Sequence, residues 1–112
     1  MMFFVPITAT ERRIDVIEYR IYQTDLQEVQ FCYWEDVKDH FSFDSYKEIH
    51  RGKIKDLKNP ILLEKLYDIF NTIIPEGYNG RNLFSGDIVE IIRGDQSTYY
   101  FCDLYGWVKI NK

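Results

Sequence analysis

Residues 77–110 alternate between glycine-bearing turns and short apolar runs. Tyr78-Asn79-Gly80 and Ser85-Gly86-Asp87 carry turn chemistry, because Asn and Gly tolerate the positive φ that tight turns need. Ile88, Val89, Ile91 and Ile92 then surround a single charged residue, Glu90, a nearly unbroken apolar run that predicts a strand covered on both faces. Arg93-Gly94-Asp95-Gln96-Ser97 predicts a hairpin into a return strand over residues 98–104. Its period of two puts Tyr99, Phe101 and Asp103 on one face and Tyr100, Cys102 and Leu104 on the other, and either face could be the core. Tyr105-Gly106 predicts a last tight turn. Trp107, Val108 and Ile110 predict a closing strand whose end Lys109 and Lys112 keep solvated. The stretch, which holds five of the six glycines, reads as a three-strand meander.

Upstream, residues 13–22 alternate Ile17, Tyr19 and Ile21 against Glu18 and Arg20, which predicts a first strand. Residues 26–33 fit both periods: Leu26, Val29 and Tyr33 match a helix, while Val29, Phe31 and Tyr33 match a strand. A short strand followed by one or two helical turns over residues 34–40 is the favoured reading. Phe41-Ser42-Phe43-Asp44 predicts a loop with two aromatic anchors. Residues 45–54 predict a strand broken by a bulge or turn at Gly52. The clearest helix follows, with Asn59 as N-cap, Pro60 at the first helical position and Leu62, Leu63, Leu66, Tyr67, Ile69 and Phe70 recurring at three and four; Pro75 ends it. These elements predict an α+β domain, a mostly antiparallel twisted sheet with one main helix packed on it and the three-strand meander at its C-terminal end.

A chain of 112 residues builds one domain, and 46% hydrophobic and 17% aromatic content argues against disorder. The net charge of −4 argues against direct nucleic-acid binding, which needs a basic footprint, and is mild for a DNA mimic. Met1 to Thr10 is apolar but too short to span a membrane and lacks the basic start of a secretory signal, so a cytoplasmic address is expected. A frayed or core-docked terminus is expected over a membrane-surface role for Phe3, Phe4 and Val5. Cys32 and Cys102 both sit in apolar runs and read as reduced thiols rather than a disulfide.

Candidate chemistry is sparse. His40, Asp44 and His50 match no common metal-ligand spacing, and Cys32 with His40 lacks a third orienting group, so no metal or cofactor is expected. Gly77, Gly80 and Gly86 precede no helix start and form no phosphate loop, and Arg93-Gly94-Asp95 reads as a hairpin loop. Asp87 and Asp103 are the acidic pair that the meander could bring together, as acid and base or as ligands of a cation, though each also suits a turn. Charge is uneven: Asp25, Glu28, Glu35, Asp36, Asp39 and Asp44 precede a basic run of Lys47, Arg51, Lys53, Lys55 and Lys58. Aromatic residues cluster at the meander turns, where Tyr and Trp make strong contacts with partners.

The segment from Pro75-Glu76-Gly77-Tyr78 through Asn79-Gly80-Arg81-Asn82-Leu83-Phe84-Ser85-Gly86-Asp87-Ile88-Val89, followed by Tyr99-Tyr100-Phe101-Cys102-Asp103-Leu104-Tyr105-Gly106-Trp107, resembles the YodL-like family. So do the pieces Ser45-Tyr46-Lys47-Glu48, Arg51-Gly52 and Leu66-Tyr67-Asp68-Ile69-Phe70-Asn71, whereas Asn82 and Phe84 stand where the family pattern carries serine. The resemblance implies a fold and a setting in Gram-positive bacteria and their mobile elements, but no reaction. The leading expectation is therefore a non-enzymatic module that docks another bacterial protein through Tyr78, Arg81, Phe84, Asp87, Tyr105 and Trp107. The alternatives are a ligand-binding or hydrolytic domain using Arg81, Asp87 and Asp103, and an acidic anti-defence protein that blocks a nuclease.

Overall fold

The computed structural model describes residues 15–111. Its strands are β1 (Val16–Thr24), β2 (Tyr46–Lys55), β3 (Ile88–Arg93), β4 (Gln96–Asp103) and β5 (Gly106–Ile110); its α-helices are α1 (Trp34–Val37) and α2 (Asn59–Thr72). The strands form one antiparallel sheet in the order β2-β1-β3-β4-β5, so the architecture is a sheet-dominated α+β fold closed by the expected meander. The apolar Met1 to Thr10 stretch, with Phe3, Phe4 and Val5, and the start of the first predicted strand at Arg13 and Ile14 lie outside the described residues. No helix among the described residues is long and apolar enough to cross a membrane.

Both faces of the sheet are covered, which is why β3 is apolar along its length. On one face, Ile17, Tyr19 and Ile21 of β1 and Val89 and Ile91 of β3 share a buried cluster with Leu62, Leu63, Leu66 and Phe70 of α2. On the other, Tyr22, Ile88, Phe101 and Ile110 are buried with Val29, Val37 and Tyr46, and Trp34, Phe41 and Phe43 pack against them. The return strand thus serves two cores: Tyr100 packs against the first cluster and Phe101 belongs to the second. Glu90 sits on the second face, 2% exposed, where its carboxylate accepts the Tyr22 hydroxyl at 2.7 Å and the Tyr99 hydroxyl at 3.0 Å. Burial opposes its charge, but hydrogen bonds from Ser97, Tyr22 and Tyr99 and the nearby Arg20 hold its carboxyl below the usual range.

Four local expectations are corrected. Residues 26–33 hold no strand: Gln27–Val29 is a single 3-10 turn, and Phe31 adopts φ 60°, which breaks any extended run. Gly52 is not a bulge. β2 runs through it, and the register shifts instead at Ile49, because Ile21 and Tyr22 pair with His50 and Glu48. Gly52 is needed because a Cβ there would lie 2.7 Å from the Tyr19 hydroxyl of the cross-strand partner. Asn59 does not cap α2. Lys58 holds the cap position with no side-chain cap bond, while the Asn59 amide donates to the Tyr100 hydroxyl at 2.8 Å and its carbonyl accepts from Arg93 at 2.9 Å, tying the helix start to the sheet. β4 ends at Asp103, so the last turn is Leu104-Tyr105 and Gly106 opens β5.

The turn before β3 is packed against the backbone of the Val29 turn. Gly86 has φ 98°, its carbonyl accepts the buried Tyr46 hydroxyl at 2.6 Å, and a Cβ there would meet the Val29 carbonyl oxygen at 2.7 Å. Gly86→Ala therefore combines an unfavourable φ with a backbone clash and is expected to cost about 3 kcal/mol or more in urea denaturation. A loss below about 1 kcal/mol would mean that the Val29 turn yields freely.

Candidate functional site

The loop leading to β3 is held from inside by a buried carboxylate. Asp87 is 1% exposed, and its Oδ2 accepts from the Phe84 N–H and from Gln23 Nε2, both at 3.0 Å. The Gln23 side chain also behaves as a strand would: its Oε1 accepts the Arg81 N–H at 3.0 Å, and its Nε2 lies 3.1 Å from the Arg81 carbonyl. Arg81 answers with Nη2 to the Thr24 carbonyl at 2.7 Å and Nη1 to Asp87 Oδ1 at 3.4 Å, while its guanidinium lies 4.7 Å from the centre of the Phe84 ring. Tyr78 donates its hydroxyl to the Arg81 carbonyl at 2.6 Å and packs its ring on Phe70. Burial is the largest influence on Asp87 and pushes its carboxyl up to about 6, against the lowering pull of the Phe84 N–H, Arg81 and Gln23.

Beside this loop lies a cavity of about 420 Å³, between α2 and the β4–β5 turn. Glu64 and Tyr67 line it from the helix, Phe84 and Ser85 from the loop, and Cys102, Asp103 and Trp107 from the sheet. Phe31 and Tyr105 complete the rim. The left-handed backbone at Phe31 sets its ring edge-on to Phe84, with centroids 5.0 Å apart, and Tyr33 supports Tyr105 at 5.5 Å. One carboxylate oxygen of Asp103 accepts the Trp34 N–H at 2.8 Å, which fixes the start of α1. The Ser85 hydroxyl is buried with no hydrogen-bond partner among the described residues. Burial first, and then the charges of Asp87, Asp103 and Glu64, push the Cys102 thiol up to about 12, which favours the protonated form.

The structure thus divides the six docking residues read from the sequence. Phe84, Tyr105 and Trp107 meet at the cavity, whereas Tyr78, Arg81 and Asp87 form the internal support beneath it. Asp87 and Asp103 do not converge: the first points to Gln23 and Arg81, the second to the Trp34 amide. His50 lies among the rings of Tyr19, Phe70 and Tyr78, and burial lowers its pKa. Among the described residues no three His, Cys, Asp or Glu side chains gather as a metal site. Phe31, Glu64, Tyr67, Ser85 and Gln23 escape sequence reading as site residues. Phe31 lies in the ambiguous stretch, Glu64 and Tyr67 look like ordinary helix positions, and a lone Gln at a strand end has no signature.

The fold and this support define a small sheet-dominated α+β domain whose loop before β3 is braced from inside and borders an open cavity. The chain matches the model of the YodL-like domain over residues 16–112, and it belongs to that family. A relative in Bacillus subtilis (strain 168), described as "Uncharacterized protein YodL", is 29% identical over 70 residues, covering 60% of this chain and 67% of the relative. No solved structure matches the chain.

Between pH 3.8 and about 6 the folded protein holds a proton on Asp87 that the unfolded chain has released, so this group makes stability fall as pH rises through that window. Relative to Asp87→Asn, which cannot titrate, the wild type is expected to lose on the order of 3 kcal/mol of unfolding free energy across it. Urea denaturation of both proteins at either end of the window measures this. A difference that stays flat would show that Arg81 and the amide donors outweigh burial.

Proposed function

We propose that this chain is a small cytoplasmic protein-interaction module, without catalytic activity or cofactor, that docks another bacterial protein at the cavity beside the β4–β5 turn. The observation that carries this reading is the company of large apolar side chains left in water there: Phe31 is 65% exposed, Tyr105 87% and Leu104 41%. Isolated exposed hydrophobics are ordinary, but a contiguous group around a concavity marks a contact surface. Aromatic anchors on turns give such a surface much area at small entropic cost. Against turnover stands the engagement of Arg81 and Asp87 in internal bonds and the high pKa of the Cys102 thiol. A reducing compartment suits Cys32 and Cys102 as thiols. The net charge of −4 speaks against direct contact with nucleic acid.

Capture from a bacterial host with the tagged protein, followed by mass spectrometry, tests the reading against a Phe31→Gly/Tyr105→Ala variant. Both side chains are exposed and glycine suits the φ of 60° at position 31, so the variant is expected to stay folded with only a modest loss of melting temperature from the two surface ring contacts. A recurrent partner is expected to fall at least about tenfold in the variant, the scale of losing one hot-spot residue. Equal recovery by both proteins would remove this surface from the interaction.

A further inference from the structure

We infer that the cavity receives an arginine or lysine side chain from an extended partner segment that adds as a sixth strand to the outer edge of β5. The inference rests on the docking reading above and names what the dock takes.

The sheet order leaves β5 at an edge, and no strand among the described residues pairs with its outer side. The polarity of that edge follows from β4. Cys102 donates its N–H to the Asp87 carbonyl and accepts the Gly86 N–H, both at 2.8 Å, so its two backbone groups face β3. In an antiparallel sheet these groups alternate sides along the strand. Phe101 and Asp103 therefore bond to β5 at Val108 and Gly106, and Trp107 and Lys109 direct their N–H and C=O groups outward. The opposite edge, β2, carries Lys47, Arg51, Lys53 and Lys55, the charged dressing that discourages strand addition, whereas β5 carries Lys109 alone. On an added strand, the side chain facing Trp107 shares its face of the sheet, and Trp107 lines the cavity.

The chemistry of the cavity selects the side chain. Glu64 and Asp103 line it and no lysine or arginine does, so its formal charge is unbalanced and negative. Tyr67 and Trp107 add aromatic rings of the kind that attract a cation, while Phe84 already carries the Arg81 guanidinium. The Ser85 hydroxyl, on a residue 8% exposed and without a hydrogen-bond partner among the described residues, is an acceptor for an ammonium or guanidinium N–H. An apolar side chain would use the rings but leave the Glu64 carboxylate and the Ser85 hydroxyl unanswered; an acidic one would meet like charge.

Amide NMR of the full chain, titrated at millimolar concentration with N-acetyl-Val-Thr-Arg-Thr-Val-amide, with its norleucine analogue and with argininamide, tests the assignment. The arginine peptide is expected to move the Trp107 indole, the Ser85 amide and the Trp107 and Lys109 backbone amides, and to bind at least about tenfold more tightly than the norleucine peptide. Glu64→Gln and Ser85→Ala are each expected to weaken it severalfold while leaving the melting temperature in place, since Glu64 is exposed and the Ser85 hydroxyl has no bond to lose. Equal binding of the norleucine peptide would overturn the inference and leave an apolar dock. Argininamide binding as tightly as the peptide, with the β5 amides unmoved, would overturn it in favour of a small-cation site. Failure of all three probes to shift these signals would also overturn it, and the capture experiment would still judge the docking reading on its own.

Discussion

The Asp87 carboxylate is the constraint on which the rest of the arrangement depends. It lies where the loop after α2 becomes β3, and it holds β1 through Gln23, the loop backbone through the Phe84 N–H and the loop's cation through Arg81. A carboxylate removed from water is costly unless it is met by donors. Here the donors come from segments far apart in sequence, so the loop keeps its bonds only in this one shape. The neighbouring glycine allows the approach, and the Tyr46 hydroxyl on its carbonyl ties the same turn to the start of β2. The cavity wall formed by Phe84 and Ser85 inherits that rigidity.

A second buried carboxylate does comparable work on the far face. Glu90 gathers Tyr22, Tyr99 and Arg20 around the middle of β3, so the central strand carries one acid at its entrance and another within it. Each faces a different part of the structure. Between them the sheet is fixed in register, because a one-residue slip would put Glu90 against the apolar residues of α2 and Ile91 among the tyrosine hydroxyls. Two polar anchors of opposite facing set a register that the apolar pattern of β3, being nearly uniform, leaves open.

The sequence made the meander, the first strand and the long helix legible because each is announced by local chemistry: Gly94 at φ 59° between Arg93 and Gln96, the alternation at Ile17, Tyr19 and Ile21, and the three-four spacing from Leu62 to Phe70. What stayed hidden depends on distant partners. Asn59 looks like a cap, yet Tyr100 and Arg93 claim its amide. Gly52 looks like a break, yet it makes room for the Tyr19 ring. Residues 26–33 carry a usable strand pattern that loses to the left-handed turn at Phe31 and to the burial of Val29 against the second core. At the candidate site, Phe84, Tyr105 and Trp107 were legible as turn aromatics. Glu64 and Tyr67 were not, since nothing in a helix pattern tells which exposed positions overlook a neighbouring strand.

The brace and the turn, from Gly80 and Arg81 through Ser85-Gly86-Asp87, carry the family resemblance together with Tyr67 and the cavity residues from Cys102 to Trp107, while Phe31 and Glu64 on the opposite walls lie outside the matching pieces. A relative alike in all those pieces can therefore keep the corner and most of the mouth and still differ at two positions of its rim. Sharing the shape would then not mean sharing a ligand, because position 31 supplies an exposed ring and position 64 a charge where no matching piece reaches.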